Sequence, residues 1–272
     1  MSNINIIGNE KDEGPKIVDP KEIPETFTRE DFIYLAKIAE QTERFDEMIK
    51  FVKRFVEMGD NILSPDERYV FGTAYKNAVG NRRAELRVLT AIEQKEIRKG
   101  DDSMIGTIKG YKKKIEKELA NLCYSLLDLI EKEMLPKSKN PENQIYFLKM
   151  KGDYNRYLSE FLDEEECTEI VQKGLQAYSD AEKLCKHNLP ATHPMRLGVY
   201  LNMSVFYYEI LQEPGRALML TKSALDEALG QIDSINEEMY KDCTLIMQLL
   251  RDNLTLWSSE IPGADEQQAE EN

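Results

Sequence analysis

The chain has 272 residues, 41% hydrophobic and 32% charged, and its 36 Lys and Arg against 50 Asp and Glu give a formal net charge of −14. That length and apolar content allow one large buried core and argue against an intrinsically disordered protein, while the negative balance argues against extended nucleic-acid binding. No apolar run reaches the ~18–20 residues that span a bilayer, and the opening MSNINIIGNEKDEGPK lacks the layout of a signal peptide. A cytoplasmic or nuclear location is therefore expected. Cys123, Cys167, Cys185 and Cys243 are scattered without CxxC spacing, which predicts buried free thiols.

Residues 1–27 carry Gly8, Gly14, Pro15, Pro20 and Pro24 without a helical period and read as a flexible arm. At Thr28 the pattern changes. Thr28 with Asp31 reads as a capping box, and Phe32, Leu35, Ala36 and Ala39 follow at helical spacing. Ser64-Pro65-Asp66-Glu67 and Asn140-Pro141-Glu142 each offer an N-cap, a proline at the first helical position and acidic residues in the first turn, and Pro194 and Pro214 open two more helices. With no alternating strand pattern, the class is all-α, with helices over 29–44, 46–61, 65–99, 104–135, 141–162, 167–188, 194–211, 214–231 and 237–259. They form a helical domain over 28–259, and the acidic stretch 260–272 reads as a disordered tail.

Three helices repeat a polar residue after seven positions, which brings both side chains to within ~20° of one face. The pairs are Lys76 with Arg83, Lys149 with Arg156, and Asn202 with Glu209; on the last helix Asn253 shares a side with Leu249 and Leu256. One such pair alone fits a solvated face. Here Tyr154, Tyr157, Phe206, Tyr207 and Tyr208 surround the charges, and charges beside large aromatics have assigned partners. Two arginine forks, a lysine and a tyrosine hydroxyl suit a phosphate, and side-chain amides suit the backbone of an extended peptide. Leu201, Val205, Leu245, Leu249 and Leu256 make an apolar strip.

The runs AYKNAVGNRRAE, YFLKMKGDYNRYLSE, THPMRLGVYLNMSVFYYEIL and YKDCTLIMQLLRDNLTLWSSE resemble, in order and separation, characteristic stretches of the 14-3-3 family. The resemblance extends from about Thr28 to Trp257. It implies nine antiparallel helices, an L-shaped protomer, a cup-shaped dimer and a non-enzymatic adaptor that binds phosphoserine or phosphothreonine segments of client proteins. It further implies that Lys76, Arg83, Arg156 and Tyr157 hold the phosphate and that Lys149 adds basic charge. Asn202 and Asn253 would hold the peptide backbone, with Glu209 assisting, Trp257 closing one end, and Leu201, Val205, Leu245, Leu249 and Leu256 as the apolar wall.

In that family the first helices of one protomer meet the third and fourth of the other. The matching charged positions are Arg44 and Glu47, expected to face Glu118 and Lys114, with Ile38 and Tyr111 for apolar packing. Many animal members carry a phosphorylatable serine followed by tryptophan where this chain has Glu85-Leu86. A homodimer, or a heterodimer with related chains, is expected, with Glu85 loosening it.

The alternative is a helical-repeat scaffold that binds unmodified peptides. An enzyme finds little support: HExxH, GxxxxGK[ST] and GxSxG do not occur, His187 and His193 read as surface or capping residues, and neither a cofactor nor a metal is expected.

Overall fold

The computed structural model describes residues 27–59, 63–100, 102–235 and 237–260. The arm and tail expected at the chain ends fall almost wholly outside these residues. Nine helices, and no strand, occur among the described residues. They are α1 (Arg29–Gln41), α2 (Phe45–Glu57), α3 (Pro65–Lys99), α4, α5 (Pro141–Ser159), α6 (Glu164–Asn188), α7, α8 (Pro214–Leu229) and α9 (Glu237–Glu260). Helix α4 runs from Asp102–Leu129 without a break through a π turn at Ile130–Met134 into Leu135–Lys137, and α7 continues from Pro194–Val205 into a π turn at Phe206–Ile210.

The predicted start signals act as read. The Thr28 hydroxyl accepts from Asp31 N at 3.2 Å while the Asp31 carboxylate accepts from Thr28 N at 2.8 Å, and Ser64 and Glu67 repeat the arrangement. Asn140 accepts from Glu142 N, and His193 Nδ1 accepts from Met195 N, the capping role read for this histidine. Each such cap contributes ~1 kcal/mol by satisfying an otherwise orphaned donor.

The ends were less legible. Helix α1 stops at Gln41 rather than 44, because Glu43 takes a positive φ of 57° and turns the chain into α2. Helix α2 ends at Glu57, and residues 60 and 61, expected as its last turn, lie outside the described set. Helix α6 begins at Glu164 rather than 167, capped by Asp163, which accepts from Glu166 N at 3.1 Å.

Each helix packs on its successor. The largest core joins α1 to α5 through Phe32, Phe55, Phe71, Leu119, Leu126 and Phe147, all at most 2% exposed. Each such side chain contributes ~1.5–3 kcal/mol on burial. A second half is built on Tyr178, Phe206, Leu225, Met247, Leu250 and Trp257. Helix α5 borders both, giving Phe147, Tyr154 and Leu158 to the first and Ile145 to a cluster with Cys185 and Val199. Cys123, Cys185 and Cys243 are buried free thiols as expected, and burial pushes the first two up to about 12. Cys167 corrects that expectation in part, being only half-buried.

Candidate functional site

Helix α5 carries five consecutive buried residues, Gly152, Asp153, Tyr154, Asn155 and Arg156. A buried polar group is costly unless it finds a partner in the protein, and among the described residues Asn155 Oδ1 and Arg156 Nε have no hydrogen-bond partner. Asp153 is fully satisfied. Its Oδ1 accepts from Tyr178 Oη at 2.6 Å and from Asn202 Nδ2 at 2.7 Å, and its Oδ2 accepts from Lys149 Nζ at 2.7 Å. This carboxylate therefore ties α5 to α6 and α7 and orients two predicted site residues. Gly152 permits it, since a Cβ there would lie 2.6 Å from the Tyr178 ring.

One turn on, Tyr157 carries two guanidinium groups. Arg83 lies 4.3 Å and Arg156 4.7 Å from its ring centroid. Both converge on Glu160: Arg83 donates through Nε at 2.9 Å and Nη2 at 2.6 Å, and Arg156 Nη1 stands 3.5 Å away. Glu209 approaches Arg156 from α7 at 3.8 Å. Burial alone would depress the Arg156 guanidinium, but Tyr178, Tyr157 and Asp153 together hold it above its ordinary value. Burial, with Asp153 adding to it, pushes the Tyr157 hydroxyl up to about 12, so it remains a donor at neutral pH.

The sequence pairs thus come together on one surface. Two hollows run along it. One of about 440 Å³ is lined by Lys76, Lys149, Asp153, Tyr157 and Asn202, and the other, about 910 Å³, by Arg83, Arg87, Glu160, Glu209 and Ile210. Among the described residues nothing bonds to the Lys76 ammonium, the Tyr157 hydroxyl or Arg83 Nη1. Around Tyr157 the cations Lys76, Arg83, Lys149 and Arg156 thus outnumber the carboxylates that pair with them, Asp153, Glu160 and Glu209, and this excess favours an anion. No cluster of three or more His, Cys, Asp or Glu suited to a metal ion occurs among the described residues.

The apolar side belongs to α7 and α9. Leu245, Leu249 and Leu256 are exposed, while Leu201, Val205 and Asn253 are half-buried. Val205 packs against the core around Phe206 and Trp257. Trp257 itself is buried, stacked 4.6 Å from Tyr208 at 11°, so it braces the end of the wall from behind.

The residues expected between protomers are accessible but pair within the chain. Arg44 bonds Glu47, Lys114 lies 3.9 Å from Glu118, and Arg82 spans Asp46 at 2.7 Å and Glu118 at 3.6 Å. Ile38 and Tyr111 are exposed, as is Glu85.

Asp153, Glu160 and Tyr178 were missed as site residues. The first two lie four positions after Lys149 and Arg156, the spacing of a helical ion pair, and that was the available signal.

The sequence model of the 14-3-3 protein family matches residues 35–258. The chain belongs to the 14-3-3 family. It is 47% identical over 247 residues to the 14-3-3-like protein GF14 iota of Arabidopsis thaliana, covering 90% of this chain and 92% of that one. To the 14-3-3-like protein GF14 epsilon of the same plant it is 48% identical over 250 residues, 89% of this chain and 98% of the relative. To the 14-3-3 protein 2 of Solanum lycopersicum it is 47% identical over 241 residues, 88% and 95% of the two chains. Membership gives this 14-3-3 protein an adaptor or regulatory role rather than a catalytic one. Among the described residues no helix is long and apolar enough to cross a membrane.

Proposed function

We propose that this 14-3-3 protein binds phosphoserine- or phosphothreonine-containing segments of client proteins along the groove between α3, α5, α7 and α9. The observation that carries the reading is the convergence of Arg83 and Arg156 on the Tyr157 ring, with Lys76 in the hollow that Tyr157 also lines. A phosphate brings roughly −1.5 to −2 charge and three acceptor oxygens. Its oxygens match the arginine forks, the lysine and the tyrosine hydroxyl. Asn202, turned by its bond to Asp153, keeps its carbonyl oxygen for a peptide N–H, and Asn253 offers a second amide. Titrating a labelled phosphopeptide and its unmodified form against the protein tests this. Phosphorylation tightening binding by about tenfold or more supports the phosphate pocket; equal binding of the two forms makes the groove a scaffold for unmodified peptides.

We also infer a dimer in which Ile38, Arg44 and Glu47 of one protomer meet Tyr111, Lys114 and Glu118 of the other. Its ion pairs have competitors, because each named charge already has a partner in its own chain. Glu85 adds negative charge near Arg82. Such exposed pairs contribute ~0–1 kcal/mol, so the apolar contacts decide the association. Sedimentation equilibrium over a dilution series should show a dimer, and a monomer at tens of micromolar would refute it.

A further inference from the structure

Rebinding of the same chemical group is the problem that the resident Glu160 poses for any incoming ligand, and it deepens the phosphopeptide reading on which it rests. Its two oxygens already occupy the Nε and Nη2 edge of Arg83 at 2.9 and 2.6 Å, with Arg156 3.5 Å away. We propose that Glu160 sets the selectivity of the pocket, as an intramolecular carboxylate that a peptide aspartate or glutamate cannot outcompete and a phosphate can.

The argument is one of exchange. A peptide carboxylate offers two oxygens and one charge, as Glu160 does, so replacing one with the other gains no contact. The peptide must also be ordered, whereas Glu160 is tethered beside Arg83 at an effective concentration in the ~mM range or above. A phosphate need not repeat the exchange. Its third oxygen and second charge can address donors that Glu160 leaves free: Arg83 Nη1, the Lys76 ammonium and the Tyr157 hydroxyl, none bonded among the described residues. Arg156 Nη1 stands 3.5 Å from Glu160 and 3.8 Å from Glu209, so a phosphate oxygen can engage it without first displacing a short hydrogen bond to either carboxylate.

The other carboxylates do not fit this role. Asp153 is buried and fully engaged by Tyr178, Asn202 and Lys149, which makes it an anchor. Glu209 is 54% exposed and reaches Arg156 only at 3.8 Å, beyond hydrogen-bond distance. Glu160 sits at the C-cap of α5 with 29% of its side chain exposed, so substituting it opens no core.

Three peptides of one sequence, with phosphoserine, glutamate or serine at the central position, should be titrated against the unaltered chain, Glu160→Gln and Glu160→Asp. For the unaltered chain we expect phosphoserine to bind far more tightly than glutamate. In Glu160→Gln the glutamate peptide should gain about tenfold more affinity than the phosphopeptide does, narrowing the discrimination by that factor. Glu160→Asp retains the charge and should retain the discrimination. Circular dichroism checks the fold, and Glu160→Ala carries the same expectation should the glutamine variant misfold. If the variants shift all three peptides by one common factor, or shift none, this inference is overturned while the phosphopeptide reading stands. If the unaltered chain fails to prefer the phosphopeptide to the serine peptide, both fall.

Discussion

On the α3 and α5 side of the groove Arg83, Arg156 and Lys149 are each held by a carboxylate, whereas on the α9 side Leu245, Leu249 and Leu256 stand 62%, 45% and 55% exposed with nothing packed over them. The charged side is organised before any ligand arrives, since Asp153, Glu160 and Tyr157 fix its rotamers. The leucine side stores unburied apolar area instead, worth about 25 cal/mol for each Å² covered by a ligand. The contrast divides the labour. Under the proposed function the first surface would distinguish ligands by charge and geometry, and the second would supply non-directional affinity to an extended segment held against it.

The largest effect should come from removing a fork on the charged side. Truncating one member of a desolvated charge pair costs ~2–5 kcal/mol, so Arg83→Ala should weaken phosphopeptide binding by roughly 30- to 1000-fold. Helicity should be unchanged, because Arg83 is half-exposed. A loss below threefold in a labelled-peptide titration would remove Arg83 from the pocket.

Next in size is Gly152→Ala, which acts on the support of that side. The new methyl would meet the Tyr178 ring at 2.6 Å and push its hydroxyl from Asp153. Such overpacking costs ~1–3 kcal/mol, so the thermal midpoint should fall by several degrees, and phosphopeptide affinity with it, as Lys149 and Asn202 lose their anchor. An unchanged midpoint would mean that α5 and α6 separate freely here.

The wall is tested by a pair of substitutions. Leu245→Lys should weaken peptide binding about tenfold and shift stability by less than ~0.5 kcal/mol, since surface changes away from the core are nearly neutral. Val205→Asp should impair binding too, but it also destabilises the fold, because Val205 packs against the core around Phe206 and Trp257. Thermal denaturation of the two variants separates them. Equal stability would move Val205 onto the open surface.

The smallest effect is in pH. A bound phosphate is stabilised as a dianion, so its pKa falls below the free value of ~6 and affinity is lost as pH drops through that free value. The glutamate-substituted peptide should show no step there. A phosphopeptide affinity flat from pH 7 to 5 would argue that charge does not govern the first surface.

Thr28, Ser64 and Asn140 announced three helix starts, because a cap is a local event between residues two or three apart. Helix ends were harder, since α1 stops through the left-handed backbone of Glu43, and no residue type there demands it. Helical periodicity put Lys76 with Arg83 and Lys149 with Arg156 on common faces, and the neighbouring aromatics and the family resemblance turned those faces into a candidate pocket. Their partners escaped notice because their role is tertiary: Tyr178 reaches Asp153 from another helix, and Glu160 joins α5 to α3. The i+4 spacing after Arg156 marks Glu160 no more than it marks any glutamate of a helical ion pair. The structure adds that distinction by bringing Arg83 across 77 positions.

A crystal structure of the protein with a bound phosphoserine peptide tests the phosphate pocket directly. The expected result has phosphate oxygens at ~2.7–3.2 Å from the Arg83 and Arg156 guanidiniums and the Tyr157 hydroxyl, with the peptide's apolar side chains on Leu245 and Leu249. A peptide whose phosphate lies in solvent, or against any other surface of the chain, would contradict it.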